Sequence, residues 1–249
     1  MTRAASPADL SDLREWLQRG GFASNAHRDV LPFGLAEVDR RLPQGGLALG
    51  ALHEIAEAGA ACEYASIAVL FAAGIAARLD GPVLWCVRGR DLFAPALARA
   101  GLPTERVMYC ETWKDGEVLP AMEEGLRCAG LAAVVGEVSR LSLTASRRLQ
   151  LAAEHGGVTA LVVRRLRNAA EAGESVAAMT RWRLAPVPCA GGFHELGRAR
   201  WRLNLVRCRG GEPHSWLVEA CDAQGRLALP AALADRPAAP QEQRRAASG

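Results

Sequence analysis

The alternation of apolar runs with helix-length stretches constrains this chain more than any other feature. Short apolar runs at Ala51–Ile55, Val83–Val87, Val107–Cys110, Leu131–Val135 and Val158–Val163 read as buried strands. Helical stretches lie between them. One runs from the end of a loop at 56–62 to about Leu79, one from Phe93 to Ala100 and one from Val118 to Ala129. The last starts at Ser142 or Thr144 and ends at His155, Gly156 and Gly157. Asp80-Gly81-Pro82, Gly101-Leu102-Pro103 and Asp115-Gly116 supply turns. A strand that returns to its sheet over a helix of roughly 10–15 residues runs parallel to the one before it, so the order predicts βαβ crossovers and a mostly parallel α/β sheet. After Ala178 the pattern changes. Thr180-Arg181-Trp182-Arg183-Leu184, Ala199 to Val206 and Ser215 to Ala220 alternate in the strand period, with Gly210-Gly211 and Gly225 as turns. These predict antiparallel C-terminal hairpins, in which Arg181, Arg183, Arg200 and Arg202 form a wet basic face opposite a core face carrying Trp182 and Trp201.

The ends read differently. Ser6, Pro7 and Asp9 start a helix that Gly20-Gly21 closes, with Leu10, Leu13, Trp16 and Leu17 as its apolar stripe. That stripe covers either its own domain or a partner, and the four residues are candidates for a partner-binding arm. Residues 1–30 are expected to form this arm and a polar linker, and 31–230 the core. Residues 231–249, rich in Ala, Pro, Gln and Arg, form a tail that cannot bury a core and is expected to be disordered. The chain of 249 residues is half apolar and carries a net charge of +3, too mild to argue for nucleic acid by itself. The seven cysteines are scattered without a Cys-x-x-Cys, and the five histidines show no metal-ligand spacing. The N-terminus lacks the apolar region of a secretory signal, and no run approaches a membrane span. A cytoplasmic protein without metal, membrane contact or nucleophile motif is the expectation.

Residues 43–66 carry the chemistry that is missing. A Gly45-Gly46 turn and a short strand lead into a loop of small residues and then a helix, the layout of a phosphate-binding loop. A working loop needs glycines, a Lys for the β/γ-phosphates and a Ser/Thr hydroxyl on Mg²⁺. Within the degenerate loop formed by Glu57, Gly59, Cys62, Glu63 and Tyr64, the Lys position falls on Glu63 and the hydroxyl position on Tyr64. A carboxylate there repels a polyphosphate by about 4 kcal/mol per unit-charge pair about 4 Å apart at an effective dielectric of about 20. The plain alternative is that Gly45, Gly46 and Gly50 are turn residues and 58–61 an ordinary strand–helix loop. Both readings predict no ATPase.

The stretch Gly34 to Leu47, the His53-Glu54-Ile55 strand, the Val83–Val87 strand and the two Arg-Trp-Arg-Leu strands together resemble the RecA/RadA recombinase core over about residues 31–230. More closely they resemble the ImuA family of RecA-like accessory proteins, with the shorter SulA-type division inhibitors as relatives. The resemblance implies a RecA-like P-loop NTPase core with a mostly parallel sheet, extended by antiparallel C-terminal hairpins. It also implies where catalytic groups should be. The general base falls at Arg88, the Walker-B acid at Gly136 with Glu137 beside it, and the sensor Gln near Arg164 or Arg165. With Glu63 and Tyr64, every such position departs from what hydrolysis requires. The resemblance therefore implies a non-enzymatic adaptor in SOS-induced mutagenic translesion synthesis. Its partners would be an ImuB-type Y-family-like protein, RecA, and indirectly an error-prone DNA polymerase III α-type subunit, with no cofactor. A SulA-like cell-division inhibitor and an active ATP-dependent DNA-binding protein are the alternatives. Arg164, Arg165 and Arg167 follow a buried strand where RecA-like proteins touch DNA. They are candidate contacts to DNA, weak and sequence-blind, or to an acidic partner, unless they merely line a solvated sheet end. Glu123-Glu124 reads as surface charge.

Overall fold

The computed structural model describes residues 29–58, 65–89, 92–166, 173–188 and 197–230. Its elements are β1 (Val30–Leu31), α1 (Ala36–Asp39), β2 (Leu47–Ala48), β3 (Leu52–Glu57), α2 (Ala65–Ala77), β4 (Val83–Arg88), α3 (Ala94–Arg99), β5 (Val107–Thr112), α4 (Asp115–Leu126), β6 (Ala133–Val138), α5 (Leu143–Gly156), β7 (Thr159–Arg164), β8 (Thr180–Val187), β9 (Arg200–Cys208) and β10 (His214–Glu219). The main sheet has eight strands in the order β5-β4-β6-β7-β3-β8-β9-β10. The β5–β4, β4–β6, β6–β7, β7–β3 and β3–β8 pairs are parallel, and β8–β9 and β9–β10 are antiparallel. A mostly parallel α/β sheet with antiparallel C-terminal strands was the sequence expectation.

Several boundaries differ from that expectation, for local reasons. β8 belongs to the parallel set and pairs in register with β3, Glu54 opposite Arg181; the antiparallel part begins only at β9. Strand alternation reports a half-buried strand but not the direction of its neighbour. β3 continues to Glu57, and β6 is displaced to Ala133–Val138, so Gly136 and Glu137 lie inside a strand instead of at its end. Asp115 and Gly116 form the first turn of α4, not a turn before it. Glu117 closes a capping box there by accepting from the backbone of Lys114, at 3.3 Å. α5 starts at Ser142, whose Oγ accepts from Ala145 N at 3.1 Å, and ends where Gly157 takes the left-handed conformation.

Each face of the sheet carries a core. On one, α2 covers the strands. Its sequence Ala-Ser-Ile-Ala-Val-Leu-Phe-Ala-Ala-Gly-Ile-Ala-Ala has no charge and is covered on two sides. Phe71 stacks on Phe33 at 5.9 Å between centroids, and Trp182 meets both edge-on. The C-terminal stretch lies on its other side: a Cβ at Gly74 would stand 2.3 Å from Cys221 Sγ, and one at Gly101 2.3 Å from Gly225 N. Arg106 closes the C-terminal end of α2 by donating to Ala76 O, Ala77 O and Leu79 O. On the opposite face α4 and α5 pack through Met122, Leu126 and Leu149 onto Leu52, Val134 and Val162. Gly136 is what lets α4 lie this close, since a Cβ there would stand 2.1 Å from Met122 Sδ. Overpacking at such a contact costs about 1–3 kcal/mol. Gly136→Ala is expected to lower the unfolding free energy by about that amount, with an unchanged denaturant m-value, in urea titration monitored by circular dichroism.

Candidate functional site

The parallel strands end on one edge of the sheet, the edge where α/β folds place ligands. Glu57 ends β3, Arg88 ends β4, Val138 ends β6 and Arg164 ends β7, with Ala56 and Val138 both in register with Arg164. Two carboxylates near this edge, Glu54 and Glu137, organise its charge on opposite faces of the sheet.

Glu54 lies two residues beyond Leu52 and so shares the α5 face. Its side chain is fully buried. Arg181 donates from Nε to Oε2 at 2.7 Å and from Nη2 to Oε1 at 3.3 Å, a forked grip. Arg183 donates from Nη2 to Oε1 at 2.9 Å and from Nη1 to Trp182 O at 3.0 Å. Arg164, itself fully buried, stands with Nη1 3.8 Å from Oε1. Its Nη2 donates to Ser139 O at 3.2 Å and to Glu174 at 3.1 Å. One carboxylate therefore holds guanidinium groups from β7 and β8. Burial lowers the pKa of Arg183, and the adjacent Glu54 carboxylate pulls it back up. On the opposite face of β3, His53 Nε2 stands 2.8 Å from Ala48 O and Nδ1 2.7 Å from Thr180 Oγ1. A carbonyl only accepts, so the proton sits on Nε2. Nδ1 then takes the Thr180 hydroxyl proton, and the Thr180 oxygen accepts from Trp182 Nε1 at 2.7 Å.

Glu137 points the other way, toward the α2 face, because it is two residues beyond Val135. Trp85 Nε1 donates to its Oε1 at 2.9 Å, and Arg165 donates to Oε2 from Nε at 2.9 Å and from Nη2 at 2.5 Å. A carboxylate that is to bind a metal or take a proton must present lone pairs to the ligand. This one presents them to an indole and an arginine. Gly136 faces Met122 of α4, so an acid at that position would point into the helix and not into the site. The acids on the α2 side are Glu137 and the buried Glu57 of β3, two residues beyond Ile55. Of the thiols, Cys86 is pushed up to about 12 by burial beside Cys110, and Cys221 up to about 12 by burial. Neither supplies a thiolate nucleophile at neutral pH. Among the described residues no group of His, Cys, Asp and Glu could hold a metal, and no helix is long and apolar enough to cross a membrane.

The sequence candidates therefore separate. Glu57 is buried at the end of β3 and Arg88 is exposed at the end of β4. Gly59, Cys62, Glu63, Tyr64, Arg167 and the Leu10, Leu13, Trp16 and Leu17 stripe lie outside the described residues. Arg164 is a correction: expected as a contact residue, it is fully buried and held by Ser139 and Glu174, so it offers nothing to DNA. Arg165 keeps a third of its side chain exposed (34%) while bound to Glu137. Arg181 and Arg183 are a second correction, since they are buried on Glu54 and do not form a wet face. Trp182 and Trp201 are core residues, as alternation predicts. Glu123 is not plain surface charge. It is buried and bridges Arg127 of its own helix region at 2.5 Å and Arg148 of α5 at 2.6 Å, joining the two helices. Sequence reading missed Glu54 as an organising residue. Its signal was a charge inside an apolar strand, which cannot be buried without partners.

These features can be set beside known proteins. The chain is 37% identical over 206 residues to Protein ImuA from two strains of Caulobacter vibrioides, a match that covers 78% of this chain and 84% of the relative. Among solved structures, SulA from Pseudomonas aeruginosa overlaps with a TM-score of 0.38 at 25% identity, over 45% of this chain and 96% of that one. No family model matches the chain. At this identity and coverage the chain belongs to the ImuA family.

Removing one partner from a buried ion cluster costs about 3–5 kcal/mol, because the remaining charges stay buried. Glu54→Ala is expected to lose about that much in chemical denaturation. Glu137→Ala is expected to lose about 1–3 kcal/mol through the orphaned Trp85 donor.

Proposed function

We propose that this member of the ImuA family is a non-catalytic adaptor in damage-induced mutagenic translesion synthesis, built on a RecA-like core whose nucleotide chemistry has been lost. Its direct partners on this reading are an ImuB-type polymerase-like protein and RecA. An error-prone DNA polymerase III α-type subunit is reached through the first of these, and the setting is the cytoplasm. Family membership supports the process. The observation that carries the rest is the state of Glu137. The acid read near the Walker-B position already accepts three hydrogen bonds from Trp85 and Arg165, at 2.9 Å and 2.5–2.9 Å. Freeing it for Mg²⁺ or water would strip a buried indole of its partner and unpair an arginine, a cost of several kcal/mol before any nucleotide binds. Glu63 and Tyr64, at the Lys and hydroxyl positions, add repulsion and remove a metal ligand. The same edge is better suited to rigid presentation of a surface than to turnover. Arg165 and Arg167 remain candidates for contact with a partner, now without Arg164.

Isothermal titration of the purified chain with Mg-ATP is expected to give no binding up to 1 mM (an upper limit set at roughly −4 kcal/mol of affinity). ATP turnover that disappears in Glu137→Gln would overturn the proposal.

A further inference from the structure

The α5 side of the sheet is covered unevenly. Among the described residues α4 packs on β4, β5, β6 and β7, and α5 on β3 and β7. β8, β9 and β10 extend the sheet beyond these helices. Their α2-side residues, such as Trp182, Trp201 and Trp216, are buried in the core. On the α5 side, which Glu54 shares with Arg183, Arg202 stands between Ala185 and Leu217, and Arg200 between Val187 and Glu219. Arg202 and Leu217 (42%) are exposed, and Ala185, Val187 and Arg200 are half-buried. A sheet face with apolar side chains calls for a second layer. The other charges around this patch are engaged. Arg181 and Arg183 are held on Glu54, Arg207 donates to Val176 O at 3.3 Å, and Glu219 lies 3.6 Å from Arg198. Arg200 and Arg202 leave the patch basic.

The N-terminal segment joins the described fold close to this patch. Asp29 O accepts from Leu49 N at 2.8 Å, and the residue after Leu49, Gly50, lies against Gly157 at the end of α5, where a Cβ would stand 3.4 Å away. The small cavity beside Val30 is lined also by Thr180 of β8 and Cys208 of β9. Residues 1–28 lie outside the described residues. Their sequence predicts a helix over 6–20 with the apolar stripe Leu10, Leu13, Trp16 and Leu17. At the helical period Asp9 and Asp12 flank the stripe on the Trp16 side, with Glu15 beyond them. Arg14 flanks the other side, and Arg19 falls in the last turn. Residues 21–28 reach at most about 29 Å when extended, and β9 from Cys208 back to Arg202 spans about 20 Å. The patch is therefore within reach of a helix that ends at Gly20. An apolar stripe with an acidic flank complements an apolar patch that carries two arginines.

We propose that residues 6–20 fold back on their own chain as a helix beside α5, with the apolar stripe on Leu217, Ala185 and Val187 and the Asp9–Asp12 flank facing Arg200 and Arg202. This helix completes the layer that α4 and α5 begin, and the inference stands independently of the adaptor reading. Its test is amide hydrogen exchange of the full chain, read by mass spectrometry at two protein concentrations. Amides 10–17 are expected to exchange at least about tenfold more slowly than in an unstructured peptide, and equally at both concentrations. Leu217→Glu combined with Arg202→Glu, both at exposed positions, is expected to return 10–17 to the unprotected rate while β6 and β7 keep their protection. Asp12→Arg, a change within the segment itself, is expected to do the same without touching the core. Unprotected exchange over 10–17 in the unaltered chain overturns the proposal, and protection that then appears on adding a purified ImuB-type protein assigns the stripe to that partner. Protection that rises with concentration assigns it to a second copy, and protection that survives these substitutions places the segment on another surface. Either result also overturns the proposal.

Discussion

The buried carboxylate of Glu54 is the point on which the C-terminal half of this sheet depends. β8 can lie beside β3 only if Arg181 and Arg183, which alternation turns toward the α5 face, find a counter-charge there. Glu54 supplies it at 2.7–3.3 Å from both. Without it two guanidinium groups would be buried unpaired, at a cost far above what the neighbouring apolar contacts return. The same carboxylate stands 3.8 Å from Arg164, which continues to Glu174. Strand pairing, the end of β7 and the chain that leads on to β8 are thereby tied to one residue. β9 and β10 then add to β8, so the antiparallel extension inherits its position from this cluster.

Much of this was legible locally. The succession of strands and helices along the chain and the change of character after Ala178 follow from hydrophobic period and turn residues, which act over a few positions. What was not legible acts over long separations. Arg181 and Arg183 look like solvent-facing residues until Glu54, 127 positions away from Arg181, is placed against them. Asp115-Gly116 looks like a turn because both residues favour turns, yet Glu117 recruits them into the first turn of α4. Gly136 looks like a lost acid, whereas its role is to admit Met122. The direction of β8 is a further case, since period two is common to parallel and antiparallel neighbours.

Glu54 and Glu137 make a pair of contrasting devices on opposite faces of one sheet. The first joins strands; the second ties Trp85 of β4 to Arg165 just beyond β7 at the edge where a RecA-like enzyme would hold metal and water. Each stabilises the sheet by consuming a charge that chemistry would need free. On the adaptor reading this is a consistent use of an old architecture. Both carboxylates are fixed by their partners, and the rigid sheet carries exposed side chains at its edge.

The central claim is that the Glu137–Arg165 pair serves structure and not nucleotide chemistry. The most direct measurement is damage-induced mutation frequency in the source organism carrying Glu137→Gln together with Arg165→Gln, which keeps a hydrogen-bonded pair without the charges. The account predicts mutation frequency at the level of the unaltered chain, provided the variant is folded by its thermal midpoint and still binds its partner. Loss of induced mutagenesis in a folded variant that still binds its partner would contradict it.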